Sequence, residues 1–195
     1  MCDAAKKLFL ARGYAETTIT DIAAEAGVAH QTVYFTFGSK AAVLAAVMDS
    51  EIVGDLDTVA LLDRPQVRRI PQIRDPARRL QRVVAICCEV TERVAPIYEI
   101  VRSGAADPEI KELLDRHELQ RWQTQRTLVG MLDAAVTADV DLGAGVDWMY
   151  ALLSHEVYWL LVRRRGWSTQ QWRRHVADQA ARQLVLTAHP RRSSS

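Results

Sequence analysis

Apolar residues in the N-terminal quarter of the chain recur at the spacing of helices packed on one side. Ala4, Ala5, Leu8 and Phe9 form the stripe of a first helix, which stops near Arg12-Gly13. In a second helix, Thr18 or Thr20 offers an N-cap hydroxyl, and Ile19, Ile22, Ala23 and Ala26 make the inner face. Gly27 stands where a left-handed C-terminal residue is expected. Val33 and Phe37, four apart, mark a short third helix from about His30, and Ser39 caps a fourth carrying Val43, Leu44, Val47 and Met48.

From Gly54 to Asp75 the pattern loosens around Pro65 and Pro71, which predicts an irregular connection or several short helical turns. Asp75-Pro76 and Asp107-Pro108 each join an N-cap to a proline at the first helical position. The first predicts a helix toward Arg93, with Pro96 opening a shorter one through Ile97, Tyr98, Ile100 and Val101. The second predicts a helix to about Ala138 that tolerates Gly130. Val146 to Arg164 reads as a further helix closed by Gly166, and Ser168 to Gln171 has capping-box spacing for a last one through about Leu186. Pro190 to Ser195 is expected to be a disordered tail. No run alternates as a strand would, and no repeat is visible, so the expected fold is all-α: an N-terminal three-helix helix-turn-helix domain (1–47), a C-terminal helical domain (48–189) and the tail (190–195).

Composition narrows the class more than the function. Of 195 residues, 49% are hydrophobic and 25% charged, an ordinary globular balance. A formal charge of +1 gives no bulk signal for a nucleic acid or a membrane. The longest nearly apolar run, Trp148 to Val162, contains Ser154, His155 and Glu156 and falls short of the ~20 residues that span a bilayer. A charged helical N-terminus without an apolar stretch excludes a secretory signal, and three cysteines, with Cys87 and Cys88 adjacent, make no disulfide framework. A cytoplasmic protein is expected. No nucleophile elbow, phosphate loop or paired-carboxylate motif suggests an enzyme, and Gly143-Ala144-Gly145 lacks a preceding strand. His30, His117, His155 and His175 are dispersed without metal-ligand spacing, and no cofactor is implied.

Ile19 to Phe37 has the logic of a helix-turn-helix. The small Ala23 and Ala26 let two helices cross closely around Gly27. With Val33 and Phe37 inward, His30, Gln31, Thr32, Tyr34 and Thr36 lie outward or at the helix start. Such a helix fits a major groove about 12 Å wide. Gln31 can donate to and accept from adenine, Thr32 can bond a base or touch a thymine methyl, and Tyr34 can bond a phosphate. Lys40, at the start of the fourth helix, adds a positive side chain to a positive helix end and suits a phosphate. The same spacing also fits a plain helical scaffold with polar surface residues. Within residues 1–47 four basic and four acidic side chains cancel.

Asp3-Ala4-Ala5, Leu8-Phe9, Gly13-Tyr14, Thr17-Thr18-Ile19, Ile22-Ala23, Ala26-Gly27-Val28, Thr32-Val33-Tyr34, Phe37-Gly38-Ser39-Lys40 and Leu44 match in order and spacing a known domain. The stretch closely resembles the DNA-binding domain of tetracycline-repressor-type (TetR) regulators, over under a quarter of the chain. The resemblance implies a homodimeric one-component regulator, usually a repressor, whose C-terminal domain binds a small effector. It implies DNA contacts from Thr18, His30, Gln31, Thr32, Tyr34, Thr36 and Lys40. The chain departs from the pattern in three places. It begins inside the expected first helix, so the basic extension that many members lay on the DNA backbone is not among these residues. Ala29 stands where serine is common, which loses a side-chain cap at a cost of ~1 kcal/mol. Thr36 stands where an aromatic residue or histidine is common.

All five tryptophans, at 122, 148, 159, 167 and 172, lie in the C-terminal part. Tyr98, Trp122, Gln123, Arg126 and His155 are the candidate effector contacts, although aromatics also fill cores and interfaces. Trp148–Val162 is apolar on nearly every face. Together with Trp172, Val176, Ala180 and Leu184 of the last helix it suggests a four-helix interface across a two-fold axis. Adjacent Cys87 and Cys88 invite a thiol-sensor reading, against which stands simple burial. Seven arginines between Arg64 and Arg82 read as a solvated basic face, with phosphate contact or attraction of an anionic effector as functional alternatives. The rival to a DNA-binding repressor is a protein-binding helical regulator that has lost specific DNA binding.

Overall fold

The computed structural model describes residues 1–54, 60–132 and 142–184, and every regular element among them is helical. Local hydrogen bonds start and stop the N-terminal helices largely where the sequence expects. Helix α1 (Cys2–Glu16) bends at Gly13 (φ 81°), after which one more turn carries Tyr14. Helix α2 (Ile19–Ala26) begins at Thr18, which settles the choice between the two threonines. The Thr18 hydroxyl accepts from the Asp21 N–H at 3.1 Å, and Asp21 Oδ2 accepts from the Thr18 N–H at 3.0 Å. Gly27 ends α2 in the left-handed region (φ 68°, ψ 30°), and the Val28 N–H returns to the Ala23 carbonyl. Helix α3 (His30–Phe37) opens at Ala29 without a side-chain cap, as that alanine predicts. Helix α4 (Lys40–Val53) is capped by Ser39 and continues unbroken past Val47.

These four helices and residues 92–119 make one compact unit. In it α1 packs on α2 and α4, and α3 packs on α2 and α4. Leu8, Phe9, Ile22, Val33, Leu44 and Val47 are in its core. Arg93 fixes the far end of α4, donating from Nε to the Glu51 carbonyl (3.0 Å) and from Nη2 to the Ile52 carbonyl (3.1 Å). This cation at a helix C-terminus also meets the end's partial negative charge. Gly54 (φ 84°) leaves it room, because a Cβ there would stand 2.7 Å from the guanidinium carbon.

Residues 60–91 and 120–195 contribute the second unit. Short turns at 61–63 and 70–72 flank α5 (Pro65–Arg68), the broken connection that the two prolines predict. Arg79, one of the seven arginines, is buried and donates to the Pro71 and Ile73 carbonyls, so it organises this segment rather than facing solvent. Asp75 and Asp107 cap α6 (Pro76–Ser103) and α7 (Pro108–Gly130) through the Ala77 and Glu109 N–H groups, each at 2.9 Å. Beyond these lie α8 (Leu142–Leu152), α9 (His155–Tyr158), a wide i→i+5 turn at Trp159–Arg164, and α10 (Thr169–Leu184).

Four expectations require correction. Pro96 lies inside α6 instead of opening a helix. The lost bond costs about 3 kcal/mol in an isolated helix, and burial of Val94, Ala95, Ile97 and Tyr98 on both sides opposes it. Helix α7 stops at Gly130, followed by a turn at Met131 and Leu132. The Val146–Arg164 run breaks at Ser154, whose hydroxyl accepts from the Val157 N–H and starts a new helix. Trp172, Val176, Ala180 and Leu184 are fully buried inside their own unit, with Tyr158 edge-on to Trp172 at 4.8 Å. That stripe is therefore core, and only other faces of α10 are open to a second copy. The expected tail (190–195) and residues 185–186 of the last helix lie outside the described residues.

Candidate nucleic-acid interface

Helix α3 presents a face with no acidic residue. Val33 is completely buried and anchors the helix, while His30, Gln31, Thr32, Tyr34 and Thr36 are all exposed. The inward position and the outward set follow from one another on a helix of 3.6 residues per turn. His30, Gln31, Tyr34 and Phe35 line one shallow recess of about 240 Å³ on this face. Phe35 was absent from the sequence-derived set, yet it is 86% exposed. Its position two residues from inward Val33, on the opposite side of the helix, was the available signal.

The other expected contacts already have work within the domain. The Thr18 hydroxyl is held by the α2 capping box, donating to Asp21 Oδ2 at 2.6 Å. Those bonds from Thr18 hold the Asp21 carboxyl below the usual carboxylate range, helped by nearby Arg12. Thr36 donates its hydroxyl to the Thr32 carbonyl at 2.7 Å, which leaves oxygen lone pairs and a methyl outward. Lys40 Nζ donates to the Tyr14 carbonyl (2.8 Å), approaches the Ala15 carbonyl (3.5 Å), and sits 4.1 Å from the centre of the Tyr14 ring. An ammonium has three donors, so one remains for a phosphate.

Tyr14 joins this corner to the start of α7. Its hydroxyl faces Asp107 Oδ2 at 3.4 Å, and Ser39 donates to Glu109 Oε2 at 3.0 Å. Burial, then the Asp107 charge and hydrogen bond, push the Tyr14 phenol up to about 12. Of the remaining basic side chains near the domain surface, Lys6 and Lys7 pair with Glu51 (2.7 Å) and Glu25 (2.6 Å). Helix α3 itself carries no Asp, Glu, Lys or Arg.

The five candidate effector contacts separate. Tyr98 is buried in the first unit, 5.8 Å from the His117 ring. In the second unit Trp122 donates from Nε1 to Asp147 Oδ1 (3.1 Å), and the Arg126 guanidinium stands 5.5 Å from its ring centre. Gln123 is exposed, and His155 is 2% exposed at the start of α9. Gln125, which the sequence reading passed over, is buried on α7 with Oε1 lacking a partner. Arg121, also passed over, donates to the Tyr150 carbonyl (2.9 Å) and lies 3.7 Å from that ring's centre. Burial pushes the Cys87 thiol up to about 12, only partly opposed by Arg121, so it stays protonated at neutral pH. Among the described residues no His, Cys, Asp and Glu side chains cluster as a metal site. No helix among them is long and apolar enough to cross a membrane.

A short anchored helix with an exposed polar face, propped by a glycine-ended partner, defines a helix-turn-helix of the DNA-reading kind. Residues 2–47 match the family of bacterial regulatory proteins described as the tetR family. A Pseudomonas putida protein described as a probable HTH-type transcriptional regulator, ArpR, is 28% identical over 119 residues. That match spans 54% of this chain and 57% of the relative. Among solved structures, a transcriptional regulator of Saccharomonospora viridis in complex with choline is similar at TM-score 0.66 and 23% identity, covering 91% of each chain. A TetR-family regulator from Rhodococcus sp. is similar at TM-score 0.68 and 17% identity, covering 94% of this chain and 95% of the other. MexZ, a repressor of Pseudomonas aeruginosa, is similar at TM-score 0.62 and 24% identity, covering 96% and 94%. These structures share the all-α fold. Residues 2–47 are thus similar to the DNA-binding domain of the tetR family of bacterial regulatory proteins.

Proposed function

We propose that this chain is a ligand-responsive repressor that binds a palindromic operator as a homodimer and is released by a small-molecule effector. The observation that carries the reading is the exposed, acid-free face of α3 set over fully buried Val33. In this reading His30, Gln31 and Thr32 meet base edges. Tyr34, Thr36 and the third donor of Lys40 meet phosphates, and Thr18 holds α2 in place beside them. Two copies set their α3 helices in successive major grooves, ~34–36 Å apart.

A domain boundary near residue 47 and an effector site around Trp122, Gln123, Arg126 and His155 of the second unit belong to the same proposal, and Tyr98, buried in the first unit, is left out of that site. Effector and operator then oppose each other's binding by a coupling of about 1–3 kcal/mol, equal in both directions. Dimerisation uses the α8–α10 region on faces other than the buried Trp172–Leu184 stripe.

Selection of duplexes from a random-sequence pool by the full chain tests the proposal. Recovery of an inverted repeat with half-sites about 10 base pairs apart supports it. Equal binding of all duplexes, or of none, overturns it and favours a protein-binding regulator.

A further inference from the structure

We infer that Phe35 is a specificity residue that reads the 5-methyl group of one thymine in each half-site. The inference rests on the DNA-binding reading above and deepens it.

Phe35 is 86% exposed, more than any other large hydrophobic side chain among the described residues. It takes no part in the core that Val33 anchors, so folding does not account for it. Phe35 shares the recess with His30, Gln31 and Tyr34. Gln31 and Phe35 are four residues apart and so lie on one stripe of the helix. The edge of α3 expected to face bases therefore pairs an amide with a phenyl ring one turn further along.

In the major groove a phenyl ring has one apolar counterpart among the four bases, the methyl group of thymine. Four residues of helix advance about 6 Å, close to two base-pair steps. The thymine read by Phe35 accordingly lies within about two base pairs of the adenine read by Gln31. A ring on this stripe also discriminates without charge, which suits a domain whose acidic and basic side chains cancel.

The experiment uses the full chain and a duplex that it selects from a random pool. Each thymine is replaced singly by deoxyuridine, which removes the methyl and nothing else. Wild type should lose about fourfold affinity at one thymine per half-site. Phe35→Ala should bind the unmodified duplex on the order of tenfold more weakly and be indifferent to deoxyuridine at that position alone. Phe35→Leu should keep part of the discrimination. Because the side chain is exposed, the Tm of both variants should stay within about 2 °C of wild type.

If wild type selects a duplex but deoxyuridine costs it and Phe35→Ala equally at every position, the inference falls and the DNA-binding reading stands. If Phe35→Ala weakens all duplexes alike, the ring serves the backbone and the inference again falls. If wild type selects no duplex, both fall together.

Discussion

Lys40 shows how one side chain can serve folding and binding together. Its ammonium is shared between the last carbonyls of α1 and the Tyr14 ring. Lys40→Ala should therefore lower the Tm and also weaken binding to every duplex alike, whereas Gln31→Ala should relax base preference with the Tm intact. Thr18→Ala should cost ~1 kcal/mol, a Tm loss of about 2–4 °C, because it removes the hydroxyl that accepts from the Asp21 N–H and donates to Asp21 Oδ2, while the Thr18 N–H keeps its bond to that carboxylate. Tyr14 gives a pH signature. Its phenol is raised in the folded state from 10.0 to about 12, so its contribution is complete below pH 10 and is lost as pH rises toward 12. Unfolding measured across that window should show a loss of stability that Tyr14→Phe largely removes. For the cysteines, burial of Cys87 and Cys88 predicts that in the native chain Cys2 reacts first with a thiol reagent. Fast modification of Cys87 would restore the thiol-sensor reading.

At the level of helices, what the sequence made legible depended on how local the cause was. The caps at Thr18, Ser39, Asp75, Asp107 and Ser168 are bonds between residues two or three apart, and each was readable, Thr18 as one of two candidates with Thr20. The stop at Gly27 was readable because α2 needs a left-handed residue there. Gly27→Ala meets open space but must hold φ near 68°, so it should cost about 1–2 kcal/mol in a denaturant titration. Pro96 misled for the opposite reason. Whether a proline interrupts a helix depends on how well the helix on either side of it packs, and Val94, Ala95, Ile97 and Tyr98 around Pro96 are all buried. The candidate interface divided in the same way. The exposed edge of α3 follows from inward Val33, and the same geometry puts Phe35 outward, although the set built from polar side chains leaves it out. The Lys40–Tyr14 contact spans 26 positions, and no pattern of spacing predicts it.

For the protein as a regulator, the proposal requires two copies. Sedimentation at micromolar concentration should show a dimer, and a strict monomer would reject the interface in the α8–α10 region. Within that region, Leu160 is 51% exposed on the wide turn. Leu160→Lys should shift the equilibrium toward monomer while leaving the Tm of the isolated chain nearly unchanged. The most direct test of the central claim, that the outward face of α3 reads duplex DNA, is a binding titration at several salt concentrations. It compares a selected inverted repeat with a scrambled duplex, for wild type and Gln31→Ala. The account predicts affinity that falls steeply with salt on both duplexes, and a preference of at least about 10³-fold for the repeat that shrinks in Gln31→Ala. Equal affinity of wild type for repeat and scramble, or a preference untouched by Gln31→Ala, would contradict it.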